Sequence, residues 1–178
     1  METKTINTQT EMDAIDINFN GEIHIVGKIE RITKYYPNAW IYVSGNAQIR
    51  YVSGNAQISN VYGNAQISNV SDNAQISNVS GNAQISNVYG NAQISNVYGN
   101  AQIRYVSGNA SLLHCSGFAK IQTMGQNIIS YNKSETNLTI EASSNTTIVV
   151  LDEINSTFEG YKKFYPFEVE NWIIDYNL

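Results

Sequence analysis

From Val43 onward the apolar positions advance by a fixed step: Val43, Ala47 and Ile49 are followed by Val52, Ala56 and Ile58, then by Val61, Ala65 and Ile67, and so on to Val106. The run Val-Ser-Gly-Asn-Ala-Gln-Ile at Val43 returns with small changes from Val52, Val61, Val70, Val79, Val88 and Val97, then as Val-Ser-Gly-Asn-Ala-Ser-Leu from Val106. The period is nine residues, and self-similarity at a fixed period marks a repeat architecture. Past Val106 the pattern decays without stopping. Cys115 takes the Val slot, Gly117 the Gly slot, Ala119 the Ala slot and Ile121 the Ile slot. Leu138, Ile140 and Ala142 align with Thr147, Val149 and Leu151 at the same offset of nine.

Within a unit, Ala47 and Ile49 share one face of an extended strand while Gln48 points the other way. The gap of three from Ile49 to Val52 breaks the alternation, and the Ser-Asn pair that usually fills it favours corners, so a bend is predicted there. Gly-Asn predicts a second bend, because glycine takes positive φ at little cost. A rival reading keeps Val43 to Ile49 as one strand with Val, Gly, Ala and Ile inward, and the pattern alone leaves both open. Nine residues are too few to close a coil around packed side chains, whereas two units give 18. The expectation is an all-β fold, a parallel β-solenoid of nonapeptide repeats with two units per coil. At ~4.8 Å per parallel strand, about six coils between Ile41 and Asp152 make a rod about 30 Å long. Asn46, Asn64, Asn82 and Asn100 should then stack, as should Asn55, Asn73, Asn91 and Asn109, with amides hydrogen-bonded along the axis.

The runs of Gly-Asn-Ala-Gln-Ile resemble the Gly-Asn-Ala-x-Val tandem repeats of many bacterial and bacteriophage proteins, which are similar to hexapeptide-repeat left-handed β-helices. The resemblance covers residues 43–117. It implies a solenoid whose coil holds 18 residues on three faces of six, against the step of nine seen here. It implies no particular activity: the acyltransferases built on such repeats need a catalytic histidine and a cofactor cleft, and this chain has only His24 and His114.

A solenoid exposes unpaired strand edges at its ends unless they are capped. The chain divides accordingly into an N-terminal β cap (1–40), the solenoid (41–153, regular over 43–117 and degenerate over 118–153) and a C-terminal helical or mixed cap (154–178). On the N-terminal side Ile15, Ile17 and Phe19 alternate, Asn20-Gly21 is a hairpin-turn signal, and Ile23 and Ile25 resume the alternation, which predicts a hairpin or a first coil. An aromatic stretch follows: Tyr35, Tyr36, Pro37 and Trp40. Near the other end, Pro166 is suited to open a helix with Val169, Trp172, Ile173 and Tyr176 on one stripe, serving as a lid over the last coil or as the seam of a homodimer.

Composition and charge narrow the function. The 178 residues carry 10 Lys+Arg against 15 Asp+Glu, a formal charge of −5, and only 14% are charged. This argues against a nucleic-acid-binding surface. No apolar run is long enough for a membrane span, and the first residues lack the basic and apolar segments of a secretion signal, so a soluble, cytoplasmic protein is expected. Zinc spacings, phosphate-binding glycine loops and nucleophile motifs are missing from the sequence, so neither an enzyme nor a cofactor is expected. Cys115, in a Val slot, reads as a small core residue. His24 reads as an outward strand position. Asp72 in a Gly slot reads as a tolerated turn residue, since a calcium roll would need several such aspartates.

Candidate partner-binding residues are those that break the repeat. Arg50-Tyr51 and Arg104-Tyr105 replace Ser-Asn, three coils apart, so the two arginines should lie on one side about 14 Å apart. Their spacing places Tyr62 and Tyr98 on that same side, with Tyr89 opposite. Protection of the rod ends and the β-forming tendency of tyrosine account for the same residues without a partner. From Glu135 to Leu178 there are eight acids against Lys162 and Lys163. Glu168, Glu170, Trp172 and Asp175 from that acidic, aromatic stretch suit contact with a host protein or nucleoprotein presenting a basic surface. The expected function is a non-enzymatic binding protein, phage or mobile-element encoded, that blocks a host macromolecule as an anti-defence, anti-CRISPR-like inhibitor. The alternatives are a structural, self-assembling component and an ice-binding protein that uses the outward rows of Gln48, Gln57, Gln66 and their successors.

Overall fold

The computed structural model of the chain describes residues 1–123 and, beyond them, the backbone of five strands. In chain order the elements are β1 (Glu2–Ile6), α1 (Gln9–Asp13), β2 (Gly21–Ile25), β3 (Lys28–Ile32) and β4 (Ala39–Val43). The repeat follows as β5 (Gln48–Val52), β6 (Gln57–Val61), β7 (Gln66–Val70), β8 (Gln75–Val79), β9 (Gln84–Val88), β10 (Gln93–Val97) and β11 (Gln102–Val106). Then come β12 (Ser111–Gly117), β13 (Lys120–Thr123), β14 (Ile128–Thr136), β15 (Thr139–Ala142), β16 (Thr147–Leu151), β17 (Lys162–Phe164) and β18 (Trp172–Ile174).

Successive strands fall alternately into two sheets. One is ten-stranded, in the order β1-β2-β4-β6-β8-β10-β12-β14-β16-β17, and the other eight-stranded, in the order β18-β15-β13-β11-β9-β7-β5-β3. Within each sheet the repeat strands are parallel and pair residues 18 apart, as Gln57 with Gln75, Ile58 with Ile76 and Val61 with Val79. The chain is therefore a parallel β-solenoid of about seven turns with about 18 residues per turn. Each coil has two strands, so the three-faced section implied by the hexapeptide resemblance is corrected to two sheets. A step of nine gives one strand and one turn per half coil.

The physics of one unit explains that step. Each strand reads Gln, buried Ile, two residues that are partly covered or exposed, and buried Val. The predicted bend at Ser-Asn is not found: both residues lie inside the strand. Ile58, Asn60 and Val61 pair with Ile76, Asn78 and Val79, while Ser59, the third residue, takes no ladder partner. The chain thus advances one residue without alternating, and Ile and Val both face inward although three apart. The Asn side chain of the next coil supplies the missing bond. Asn78 Nδ2 donates to the Ser59 carbonyl at 3.2 Å and to Asn60 Oδ1 at 3.1 Å; Asn96 repeats this on Ser77 and Asn78, and Asn87 on Ser68 and Asn69. Asn at that position is thus explained by a carbonyl that would otherwise go unpaired.

The bend at Gly-Asn is where the sequence places it, which rules out the rival seven-residue strand. Gly63 has φ +70, and a Cβ there would stand 3.1 Å from the backbone nitrogen of Gly45 in the coil below. Both the left-handed conformation and the close stacking of turns demand glycine. Asp72 takes the same conformation at φ +58, one that aspartate visits more readily than most residues, and its carboxylate accepts from Gly54 N–H of the coil below at 2.9 Å. The two expected amide stacks are present: Asn64 donates to Asn46, Asn82 to Asn64 and Asn100 to Asn82, each at 3.3 Å, and Asn73, Asn91 and Asn109 continue from Asn55. Inside, the Ala, Ile and Val rows form one continuous core whose members are at most 1% exposed from Val43 to Ile121.

At the N-terminal end the first-coil alternative holds. No hairpin forms at Asn20-Gly21; β1 and β2 are parallel, β2 pairs with β4 and β3 with β5 in parallel, so the N-terminal stretch is itself coil. Ile15 and Phe19 are buried in a turn segment rather than a strand, and Ile17 is exposed. The capping is done by α1 and two side chains. Gln9 accepts from Arg31 N–H at 2.9 Å and donates to the Arg31 carbonyl at 3.1 Å, taking the place of a strand on the edge of β3. In β1, Lys4 lies in register with buried Ile23 and stacks 5.0 Å over the Phe19 ring. A charge in an inward slot at a sheet edge opposes further pairing.

At the other end the described parallel ladder runs to Leu151. Ile140 pairs with Ile121 and Ile148 with Ile129, so this coil spans 19 residues and the step from Ile140 to Ile148 is eight, which corrects the offset of nine there by one residue. The helix expected through Trp172 and Ile173 is also corrected. Those residues form β18, antiparallel to β15, while β17 is antiparallel to β16, so each sheet ends on a short reversed strand. Pro166, Val169 and Tyr176 lie outside the described residues.

Candidate functional site

The outer face of the eight-stranded sheet is assembled in three rows by its register. Lys28, Gln48, Gln66, Gln84, Gln102 and Lys120 form the first row. Arg31, Tyr51, Asn69, Asn87 and Tyr105 form another. Between them, on the unpaired third position, stand Glu30, Arg50, Ser68, Ser86 and Arg104. The two Arg-Tyr steps are therefore on one face, separated by three strand spacings, or about 14 Å, as the sequence predicts. They bracket the Asn69–Asn87 rung, and Arg50 keeps the ladder intact because its carbonyl accepts from Asn69 at 3.2 Å.

The two arginines differ in their surroundings. Arg50 Nη1 is 3.0 Å from Glu30 Oε1, and its guanidinium carbon lies 5.1 Å from the Tyr51 ring centroid. Among the described residues Arg104 has no carboxylate partner. Lys28, Arg31 and Lys120 belong to the same face, and sequence reasoning missed all three. Lys120 follows Gln102 by 18 residues and could have been read off the period. Lys28 could not, because the longer connection 33–38 shifts it out of phase. The face thus carries three cations and one carboxylate at its lower end and two cations at its upper end, with only amides and hydroxyls between. Residues 1–123 hold seven Lys+Arg and seven Asp+Glu, which leaves the whole net charge of −5 to residues 124–178.

The tyrosines do not all join this face. Tyr62 and Tyr98 are the first residues of turns leading from the ten-stranded to the eight-stranded sheet, and Tyr89 opens a turn on the opposite corner. The expectation that Tyr62 and Tyr98 share a surface with the arginines is corrected: the former stand on a corner, the latter on a strand face. Glu168, Glu170 and Asp175 lie outside the described residues; Trp172 is in β18.

Chemistry elsewhere is quiet. Burial pushes the Cys115 thiol up to about 12, which keeps it protonated and a poor nucleophile. His24 bonds Glu22 at 2.9 Å and lies 4.9 Å from the Tyr42 ring. Burial, with a smaller effect from Asp13, raises the Tyr36 hydroxyl above its ordinary value. Among the described residues no three His, Cys, Asp or Glu side chains converge as a metal site would require, and no helix is long and apolar enough to cross a membrane. Fold and surface together define a two-sheet parallel β-solenoid with an uncharged strip between two cationic ends on one face. Comparison with protein-family models, curated proteins and solved structures returned no match.

Proposed function

We propose that this protein is a non-enzymatic binding module that holds two Arg-Tyr steps at a fixed separation against one macromolecular partner and blocks it. The observation that carries this reading is the single face on which Arg50-Tyr51 and Arg104-Tyr105 stand three strands apart. The parallel strand pairing and the Asn69–Asn87 rung between them fix that distance. Tyrosine and arginine are the side chains that most often dominate protein interfaces, and an uncharged strip between cationic ends offers little self-repulsion. The acidic residues of 124–178 add a second, oppositely charged contact, so a host protein or nucleoprotein with a basic groove beside acidic side chains is the partner class. In its concrete form the protein acts in the host cytoplasm as an anti-defence, anti-CRISPR-like inhibitor encoded by a phage or mobile element, the setting in which similar Gly-Asn-Ala repeats abound. The self-assembling alternative is weakened at one end by Lys4 and Gln9, which guard the N-terminal edges.

Affinity capture from host lysate, with and without nuclease, tests the reading. One stoichiometric host protein retained after nuclease, and lost with Arg50→Glu/Arg104→Glu or with Glu168→Lys/Glu170→Lys/Asp175→Lys, supports it. Recovery of the chain alone as dimer or polymer moves the assignment to the structural alternative.

A further inference from the structure

The corner that leads from the ten-stranded to the eight-stranded sheet is a second surface with its own chemistry. Its stacked turns are 44–47, 62–65, 80–83, 98–101 and 116–119, and no residue in them is charged. On the opposite corner the turn 71–74 carries Asp72. Along the uncharged corner run three parallel rows. The first is Ser44, Tyr62, Ser80, Tyr98 and Ser116; the second is glycine; the third is Asn46, Asn64, Asn82, Asn100 and Phe118. Tyr62 is 38% exposed, Tyr98 42% and Phe118 60%.

Two features of these rows point to one ligand chemistry. Serine at position 80 separates the tyrosines by two strand spacings, about 10 Å. That distance also separates like-facing sugar rings in a two-fold extended β-1,4-linked glycan, so two rings of such a chain meet two tyrosine faces. Beside them, Asn64 and Asn82 each commit one N–H and one lone pair to their neighbours, and Asn100 one N–H to Asn82, so each retains at least one N–H and one lone pair for an outside partner. Aromatic platforms flanked by amides, with no charge, fit a polyhydroxylated neutral chain. A nucleic acid would demand cations along the same track.

We infer that this corner is a docking edge for an uncharged, extended β-1,4-linked polysaccharide, with Tyr62 and Tyr98 as stacking platforms and Asn64, Asn82 and Asn100 meeting ring hydroxyls. The inference goes beyond the partner-binding reading and uses none of its residues on the strand face. The full chain is tested for retention on microcrystalline cellulose and on chitin, and by calorimetry with cellohexaose and chitohexaose, at low and high salt. The two arms distinguish glucose from N-acetylglucosamine units. Binding in at least one arm, insensitive to salt, roughly tenfold weaker for Tyr62→Ala or Tyr98→Ala, is expected. Tyr62→Trp should retain binding, and Tyr89→Ala on the far corner and Arg104→Glu on the strand face should leave it unchanged. Circular dichroism shows that each variant keeps its strands. Absence of binding in both arms, binding indifferent to the Tyr62→Ala/Tyr98→Ala pair, or an equal loss with Tyr89→Ala overturns the inference.

Discussion

The coils before Ile41 and those between Val43 and Gly117 carry the same parallel ladder on different chemistry. In β2 and β4 apolar and polar residues alternate, so Ile23, Ile25, Ile41 and Val43 point inward at every second position. In the repeat, Ile and Val are separated by two residues, and the extra residue leaves a carbonyl for the next coil's Asn to satisfy. The side-chain links between N-terminal coils are individual: the His24–Tyr42 ring contact and the ion pair of Arg50 with Glu30. In the repeat the links recur: Asn bonds Asn from coil to coil, and the strand Asn also bonds the Ser carbonyl of the coil below. The strand β3 bridges the two designs, since Lys-Ile-Glu-Arg-Ile has the inward spacing of the repeat with none of its amides. A solenoid of this section therefore asks only for two inward apolar residues per strand and a partner for each unpaired carbonyl. Identical stacking is one way to meet both demands.

The largest effect should come from the core. Ile76→Ala removes a side chain packed between Ile58 and Ile94 in rows that the ladder prevents from collapsing. A loss of about 4 kcal/mol is expected in denaturant unfolding. Ile23→Ala, beside the longer and looser Lys4, should cost about 2 kcal/mol by the same measurement. Equal losses would mean that stacked identity adds nothing to packing.

Next in size is the carbonyl partner. Asn78→Ala deletes the bond to Ser59, the rung to Asn60 and the acceptor for Asn96, for a loss of about 1–3 kcal/mol. Asn64→Ala breaks rungs of an exposed ladder that water can replace, and thermal unfolding should show a loss of about 0.5 kcal/mol. Similar values for the two would remove the reason given for Asn in the strand.

The guarded edges come third. Lys4→Val/Gln9→Ala frees both N-terminal sheet edges and should convert the chain to a concentration-dependent oligomer in light scattering, with little change in its melting temperature. A monomer at all concentrations would show that α1 suffices as a cap.

The smallest effect is electrostatic. The Glu11 carboxylate accepts from Asn7 N–H at 2.6 Å and Thr8 N–H at 3.1 Å, closing a capping box on α1. Bonds from Asn7 first, then Thr8, hold its pKa below the ordinary 4.5. A depressed folded value means that this stability is complete above the ordinary value and is lost as pH falls through the lowered one. Glu11→Gln should lower the melting temperature slightly at neutral pH and leave it unchanged near about pH 2, where the wild-type carboxyl is protonated too. A difference that persists in acid would assign the effect to packing.

Much of this was legible because the signal is periodic. The step of nine places Ala, Ile and Val inside, glycine at the turn and Asn in stacks, and each follows from a residue type whose geometry leaves few options. Of the two readings open at Asn20-Gly21 the coil is found and the hairpin is not, and the helix through Trp172 is not found either, for a shared reason. A turn dipeptide and a four-residue apolar stripe are local patterns, and each was overruled by a sheet edge that could take a strand. On the candidate face, Arg50 and Arg104 were found because they interrupt the repeat. Lys28 and Arg31 were invisible because they precede it and the irregular connection 33–38 breaks the phase.

By itself the sequence determined the architecture of the rod, its coil length and its core rows, since stacked near-identical units leave one register that buries every Ile and Val. Only the tertiary structure decided how many faces a coil has, why Asn follows Ser within a strand, and which breaks in the repeat share a surface. Those depend on what lies one coil above or below, about 18 residues away along the chain but one strand spacing away in space.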